Sequence, residues 1–234
     1  MKLSKFTMTG ADDSIFPNQL SRISAKYNYV EWGILLSSKS EGKNRFPSLN
    51  WMEELKALEN NIQLSGHICG KWIRDILIGD NTFVTERPTI YDIFQRFQLN
   101  FHAEDLKVNP EAFMRSVQTL SRGREIIFQF DGKNAGLIVP FANKKMYVSG
   151  LHDASHGTGV LADTWPKFVT GIGNGYAGGL SPENVVEQLE KLEKVVGDRE
   201  IWIDAETRIR SNNDKIFDLE KVEEFLEKCK PWIK

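Results

Sequence analysis

Residues 174–204, NGYAGGLSPENVVEQLEKLEKVVGDREIWID, read as one complete strand–helix–strand unit. Val185, Val186, Leu189, Leu192, Val195 and Val196 recur at helical spacing, which predicts an amphipathic helix that Gly197 can terminate. Ser181, Pro182 and Glu183 read as its cap, first turn and favourably placed acid. A strand is expected on either side, near 174–178 and 200–204, and a helical crossover of this kind joins parallel strands. Gly173, Gly175, Gly178 and Gly179 dilute the strand signal of the first.

Working outward, short apolar segments alternate with amphipathic ones along the whole chain. Strands are predicted near 4–9, 28–36, 64–69, 97–102, 125–130, 145–152, 174–178 and 200–204. Eight such units in 234 residues fit the size of a closed (β/α)8 TIM barrel, which typically takes about 250. Asn109-Pro110 opens a helix carrying Phe113, Val117 and Leu120, and a last helix bears Leu219, Val222, Phe225, Leu226 and Cys229 before Pro231 stops it. No internal repeat, low-complexity run or Gly/Pro/Ser-rich linker divides the chain, so residues 1–234 are expected to form a single barrel domain.

Composition narrows the function. With 41% hydrophobic and 26% charged residues, the chain is that of a globular protein rather than a fibrous or disordered one. A net charge of -2 supplies no basic field for nucleic acid. No apolar run approaches a membrane span, and Met1 to Asp13 holds no apolar signal-peptide core. Cys69 and Cys229 form no disulfide framework and fit a reducing compartment, so the protein is expected in the cytoplasm.

Alternate residues of a strand share a face. One parity groups Ser65, His67 and Cys69; another Gln98, Asn100 and His102; others Gln129 with Asp131 and Trp202 with Asp204, while Glu31 interrupts the second strand. The apolar parity should face the helices, so the polar one should line the barrel. Burying so many polar groups is unfavourable unless each finds a partner or water. The arrangement is therefore read as a wet, ligand-binding mouth at the carboxyl ends of the strands, where barrel active sites lie. His67, His102, His152 and His156 all fall at or just beyond those ends.

These strand ends carry a resemblance. Gly178 to Val185, GGLSPENV, closely resembles the AGGLTPENV segment of the phosphoribosylanthranilate isomerase family. QLNFHAED, from Gln98 to Asp105, looks like that family's VQLHGDE strand end. LHDASHGTGVLADTW, from Leu151 to Trp165, looks like its LLDS…GGTG…FDW loop. SSKSEGKNR, from Ser37 to Arg45, resembles its PKSPR turn, and TMTG, from Thr7 to Gly10, stands where the family has KICG. The islands fall in the family's order. They imply a single barrel of the ribulose-phosphate-binding type and an Amadori aldose–ketose isomerisation of a phosphorylated sugar, in or near tryptophan biosynthesis.

In that reaction an acid protonates the ribose ring oxygen, and a base removes the C2 proton of the resulting Schiff base. Asp153 matches the family's acid; alternatively it braces the following loop. Thr9 stands where the family has its catalytic cysteine, and a threonine hydroxyl needs its own activating partner to act as a base. Asp12, Asp13, Cys69 and His102 are the candidate substitutes. Gly178, Gly179, Glu206, Thr207 and Arg208 fall where such barrels bind phosphate. Here, though, DAETRIR (Asp204 to Arg210) replaces the family's DVSSGVE, and Glu206 would repel an anion that Arg208 or Arg210 attracts. Arg45 matches the arginine expected near the anthranilate carboxylate. The resemblance implies a small phosphorylated substrate, no cofactor and no metal, and leaves monomer or homo-oligomer open. The alternatives are a lyase or aldolase, a metal-assisted enzyme using some of His67, His102, Asp131, Asp153, His156, Asp204 and Glu206, and a non-catalytic ligand-binding relative.

Overall fold

The computed structural model describes residues 1–58, 62–101, 109–130, 138, 140–141, 144, 146–153, 155, 159–161 and 163–233. Eight parallel strands close into one barrel in chain order: β1 (Lys2–Thr9), β2 (Val30–Leu36), β3 (Gln63–Ile68), β4 (Arg96–Leu99), β5 (Glu125–Phe130), β6 (Val148–Asp153), β7 (Gly173–Ala177) and β8 (Glu200–Ala205). Ring closure is made by β1 against β8, with Phe6 opposite Ile203 and Thr7 opposite Asp204. The strand expected from 145 begins at Val148. His102, placed at the end of the fourth strand by its alternation, lies outside the described residues, as do Asp131 and His156.

Helices pack around the ring: α1 (Pro17–Lys26), α2 (Leu49–Ala57), α3 (Gly70–Ile78), α4 (Thr82–Glu86), α5 (Pro88–Asp92), α6 (Pro110–Ser121), α7 (Val185–Val196) and α8 (Leu219–Cys229). Their starts follow local chemistry. The Asn109 side chain caps α6 by accepting from the Ala112 N–H, and Asp218 caps α8 through Glu220 and Lys221. At α7 the sequence reading needs correcting, since Ser181 is not the cap. Residues 182–184 form a turn first, and Asn184 precedes the helix. Its amide accepts from the Ser181 N–H (2.9 Å) and donates to the Gly179 carbonyl (2.9 Å), a local bridge that delays the helix by one turn. Gly197 ends α7 as expected, with φ of 63°.

The apolar parity of the strands faces these helices. Phe97, Leu99, Phe128, Ile201 and Ile203 join the helix stripes in the main core, where each fully buried side chain of this size contributes roughly 1.5–3 kcal/mol. Inside the ring, the amino-terminal end is closed by an ionic plug. The Arg96 guanidinium donates to Glu31 (2.6 Å) and Glu125 (3.4 Å) and lies 4.7 Å over the Trp202 ring. Thr7 donates to Glu31 at 2.8 Å, Ser149 donates to Glu125, and Lys5 stands 3.6 Å from Glu31. Glu31 therefore belongs to a paired floor rather than to the wet mouth expected from its strand. Above the plug, Ile127, Leu151, Ala177 and Trp202 form a thin apolar layer. A Cβ at Gly175 would lie 2.2 Å from the Trp202 indole, so the glycine that weakens the β7 signal makes room for that ring.

Candidate active site

Above the Trp202 layer, the carboxyl ends of the strands surround a cavity of about 400 Å³, the size range of small-molecule sites. The polar parity supplies its wall. His67, Gln98, Gln129, Asp153, Asp204 and Glu206 all line it. His152, by contrast, is turned outward: it stacks on Tyr176 with ring centroids 4.9 Å apart and pairs with Asn174 at 3.1 Å. Its position on the other parity of β6 decides this, and strand-end location alone could not.

Three carboxylates enter the cavity, two from strands and one from the loop after β8. Asp153, ending β6, accepts from the Ser155 N–H (3.0 Å) and hydroxyl (2.7 Å) through one oxygen and from Gln129 (3.2 Å) through the other. It thus braces the loop and faces the cavity at once. Asp204, on β8, is buried and accepts from the Thr9 hydroxyl at 3.1 Å. Burial, reinforced by the nearby Glu206 charge, holds its carboxyl well above the usual aspartate range. Burial likewise raises Glu206, against the opposing pull of Arg45. His67 Nε2 is 4.0 Å from Asp204 Oδ2, and burial drives its imidazole down to about 3, so the ring is neutral.

Several buried polar atoms here are left without a protein partner among the described residues: Ser65 Oγ, His67 Nε2, Gln98 Oε1 and Trp202 Nε1. Groups this deep require a ligand or water. Cys69 is a poor base, because burial pushes its thiol up to about 12 despite a hydrogen bond from Asn100.

The other sequence candidates separate cleanly. Arg45, Gly178, Gly179, Glu206, Thr207 and Arg208 line the cavity with Asp153, whereas Thr9 and Asp12 stand outside its lining. Thr9 is buried behind Asp204. Asp12 is a strut: it accepts from Arg210 at 2.7 Å and from the Arg45 backbone N–H at 2.6 Å, which ties up its charge in the β1 loop. Asp13 holds Ser48, accepting from its N–H at 2.7 Å. Arg45 bonds Glu206 (2.5 Å) and Asp214 (2.6 Å), so it spans the rim instead of facing an open carboxylate site. Arg208 is exposed and donates to the Gly159 carbonyl at 3.3 Å. Gly179, at φ 66°, lies so close to the 160–161 backbone that a Cβ would meet Leu161 N at 2.4 Å. Asp204, expected on the inward parity and among the residues of the metal-assisted alternative, lines the cavity. Its place beside Trp202 on that parity was the signal. Among the described residues, no three His, Cys, Asp or Glu side chains are grouped to hold a metal ion.

No protein-family model and no curated protein sequence matches the chain. Solved structures do. N-(5'-phosphoribosyl)anthranilate isomerase from Pyrococcus furiosus matches with a TM-score of 0.57 at 17% identity, over 97% of this chain and 98% of that one. Phosphoribosyl anthranilate isomerase from Thermococcus kodakaraensis matches at 0.53 and 14% identity, over 96% and 98%. A truncated 3-deoxy-D-arabino-heptulosonate 7-phosphate synthase from Thermotoga maritima matches at 0.56 and 10%, over 98% and 86%. At these identities the likeness establishes the TIM-barrel fold. Among the described residues, no helix is long and apolar enough to cross a membrane.

Proposed function

We propose that this protein is an aldose–ketose isomerase of the Amadori type acting on a phosphorylated aminosugar, with phosphoribosylanthranilate as the first candidate substrate and tryptophan biosynthesis as its setting. The reading is carried by one juxtaposition: Asp153 shares a single cavity with Gly178, Gly179 and Arg208. An acid and a rim suited to a phosphate around one cavity are what the reaction needs. Near-full-length likeness of fold to two isomerases supports it further. In this reading Asp153 protonates the ribose ring oxygen, and Arg208 with the glycine backbone holds the phosphate. The free thiols of Cys69 and Cys229 support a reducing, cytoplasmic setting.

The test is turnover of phosphoribosylanthranilate by purified protein, followed by loss of anthranilate-type fluorescence. Turnover in the wild type, lost in Asp153→Asn, is the expected result. Arg208→Ala should raise KM about 10- to 100-fold, the worth of one charged hydrogen bond, with the fold unchanged. No turnover by folded wild-type protein overturns the reading.

A further inference from the structure

We infer that Asp204 is the general base of this site, supplying from β8 the proton acceptor that the first strand lacks. The inference rests on the isomerase reading above and names the residue that reading leaves missing.

The argument begins with Thr9. Its hydroxyl is not itself a base near neutrality. In the barrel register Thr7 stands opposite Asp204, and two residues further along β1 the Thr9 hydroxyl donates to Asp204 Oδ2 at 3.1 Å. The threonine therefore orients a carboxylate beside the very strand end from which a base would act. That carboxylate lines the cavity, as Thr9 does not. Asp153 lies on β6, with β7 between, so the two acids approach one ligand from separate strands of the same mouth.

The other candidates for the base among the described residues are occupied or unsuited. Asp12 is ion-paired with Arg210, Asp13 is bound to Ser48, and Cys69 is held as a thiol. The groups facing Asp204 are Thr9 from β1, His67 from β3, Asp153 from β6 and Glu206 just beyond β8, with the Glu31 charge acting from the floor. His67 is neutral, and the others are carboxylates or a hydroxyl. They leave Asp204 a stronger base than an ordinary aspartate, the adjustment that proton abstraction near neutral pH favours.

The step balances without a co-reactant. Once the ring has opened to the protonated Schiff base, Asp204 takes the C2 proton. The C2–H electron pair forms the C1=C2 bond, and the C1=N pair returns to nitrogen as a neutral amine. The enolamine then gains a proton at C1 and loses its C2 hydroxyl proton, which leaves the ketone.

The experiment compares wild type, Asp204→Asn, Asp204→Glu and Thr9→Val on phosphoribosylanthranilate, with a reduced, non-isomerisable aminoketose phosphate as binding probe. Asn keeps the shape of Asp204 and an acceptor for Thr9. It should lower kcat by about a thousandfold, within the usual range for a lost general base, while probe affinity is kept. Asp204→Glu should recover part of the rate. Thr9→Val removes a hydrogen bond that favours the ionised form, so the acid limb of kcat/KM should move to higher pH. A merely structural threonine would leave that limb where it is. Asp204→Asn turnover within a few-fold of wild type overturns the inference and leaves the isomerase reading standing. An inactive but folded wild type overturns that reading, and this role with it.

Discussion

At the amino-terminal end of the barrel, Glu31 lies 2.6 Å from the Arg96 guanidinium; at the carboxyl end, Asp204 faces a threonine hydroxyl and a neutral imidazole. Both carboxylates are buried in the same closed ring. Their acidities nevertheless diverge. Arg96 and Lys5 overcome the burial penalty at Glu31 and hold it below the usual glutamate range, whereas burial raises Asp204. Where the counter-charge is present, a buried acid fastens the fold. Where it is missing, the same burial leaves the carboxyl more basic than usual, a kind of shift that is common at functional sites.

Breaking the floor is the harshest test of this contrast. Arg96→Met removes the cation that Glu31 and Glu125 share and leaves Glu31 with Lys5 alone, and the loss should be about 3–5 kcal/mol of unfolding free energy in urea titrations. A change below about 1 kcal/mol would mean that the plug is no tighter than a surface pair. Next in size is the layer that separates the two ends. Gly175→Ala places a methyl against the Trp202 indole, and overpacking there should cost about 1–3 kcal/mol with a shift in tryptophan fluorescence. Unchanged stability and emission would show that the ring has room to move.

The smallest effect has the opposite sign. Asp204→Asn should stabilise the protein at pH 8, because the native state holds that proton more tightly than the unfolded chain. Wild-type stability from Asp204 therefore declines as pH rises from the ordinary aspartate range through its raised native value. The variant loses that decline. Glu31 works the other way: its contribution is present above the ordinary glutamate range and is lost as pH falls through its depressed native value. Equal pH slopes for wild type and Asp204→Asn above pH 4 would break the comparison.

Much of this was legible in the sequence. Apolar segments alternating with amphipathic ones placed all eight strands, and parity within them put His67, Gln98, Gln129 and Asp204 on the inward face. What it could not supply was which inward polar groups meet each other. Arg96 is one residue before the expected start of its strand and 65 positions from Glu31. Nothing local marks it as the floor's cation. Likewise, the Thr9–Asp204 bond spans 195 positions and exists only because the ring closes. The resemblance drew attention to Thr9 itself, while the chemistry lies in the neighbour that its hydroxyl holds. Asp12 misled for the same reason, since its partner Arg210 arrives from the far end of the chain.

That closure also sets an order of events during synthesis. The amino-terminal strand, Lys2–Thr9, pairs on one flank with Val30–Leu36 and on the other with Glu200–Ala205. A ribosome delivers its two partners nearly a whole chain apart. Until Glu200–Ala205 emerges, one edge of the first strand stays open, and open edges recruit foreign strands. The nascent protein is accordingly exposed to aggregation until that strand emerges, and the same strand brings the proposed base to the cavity wall.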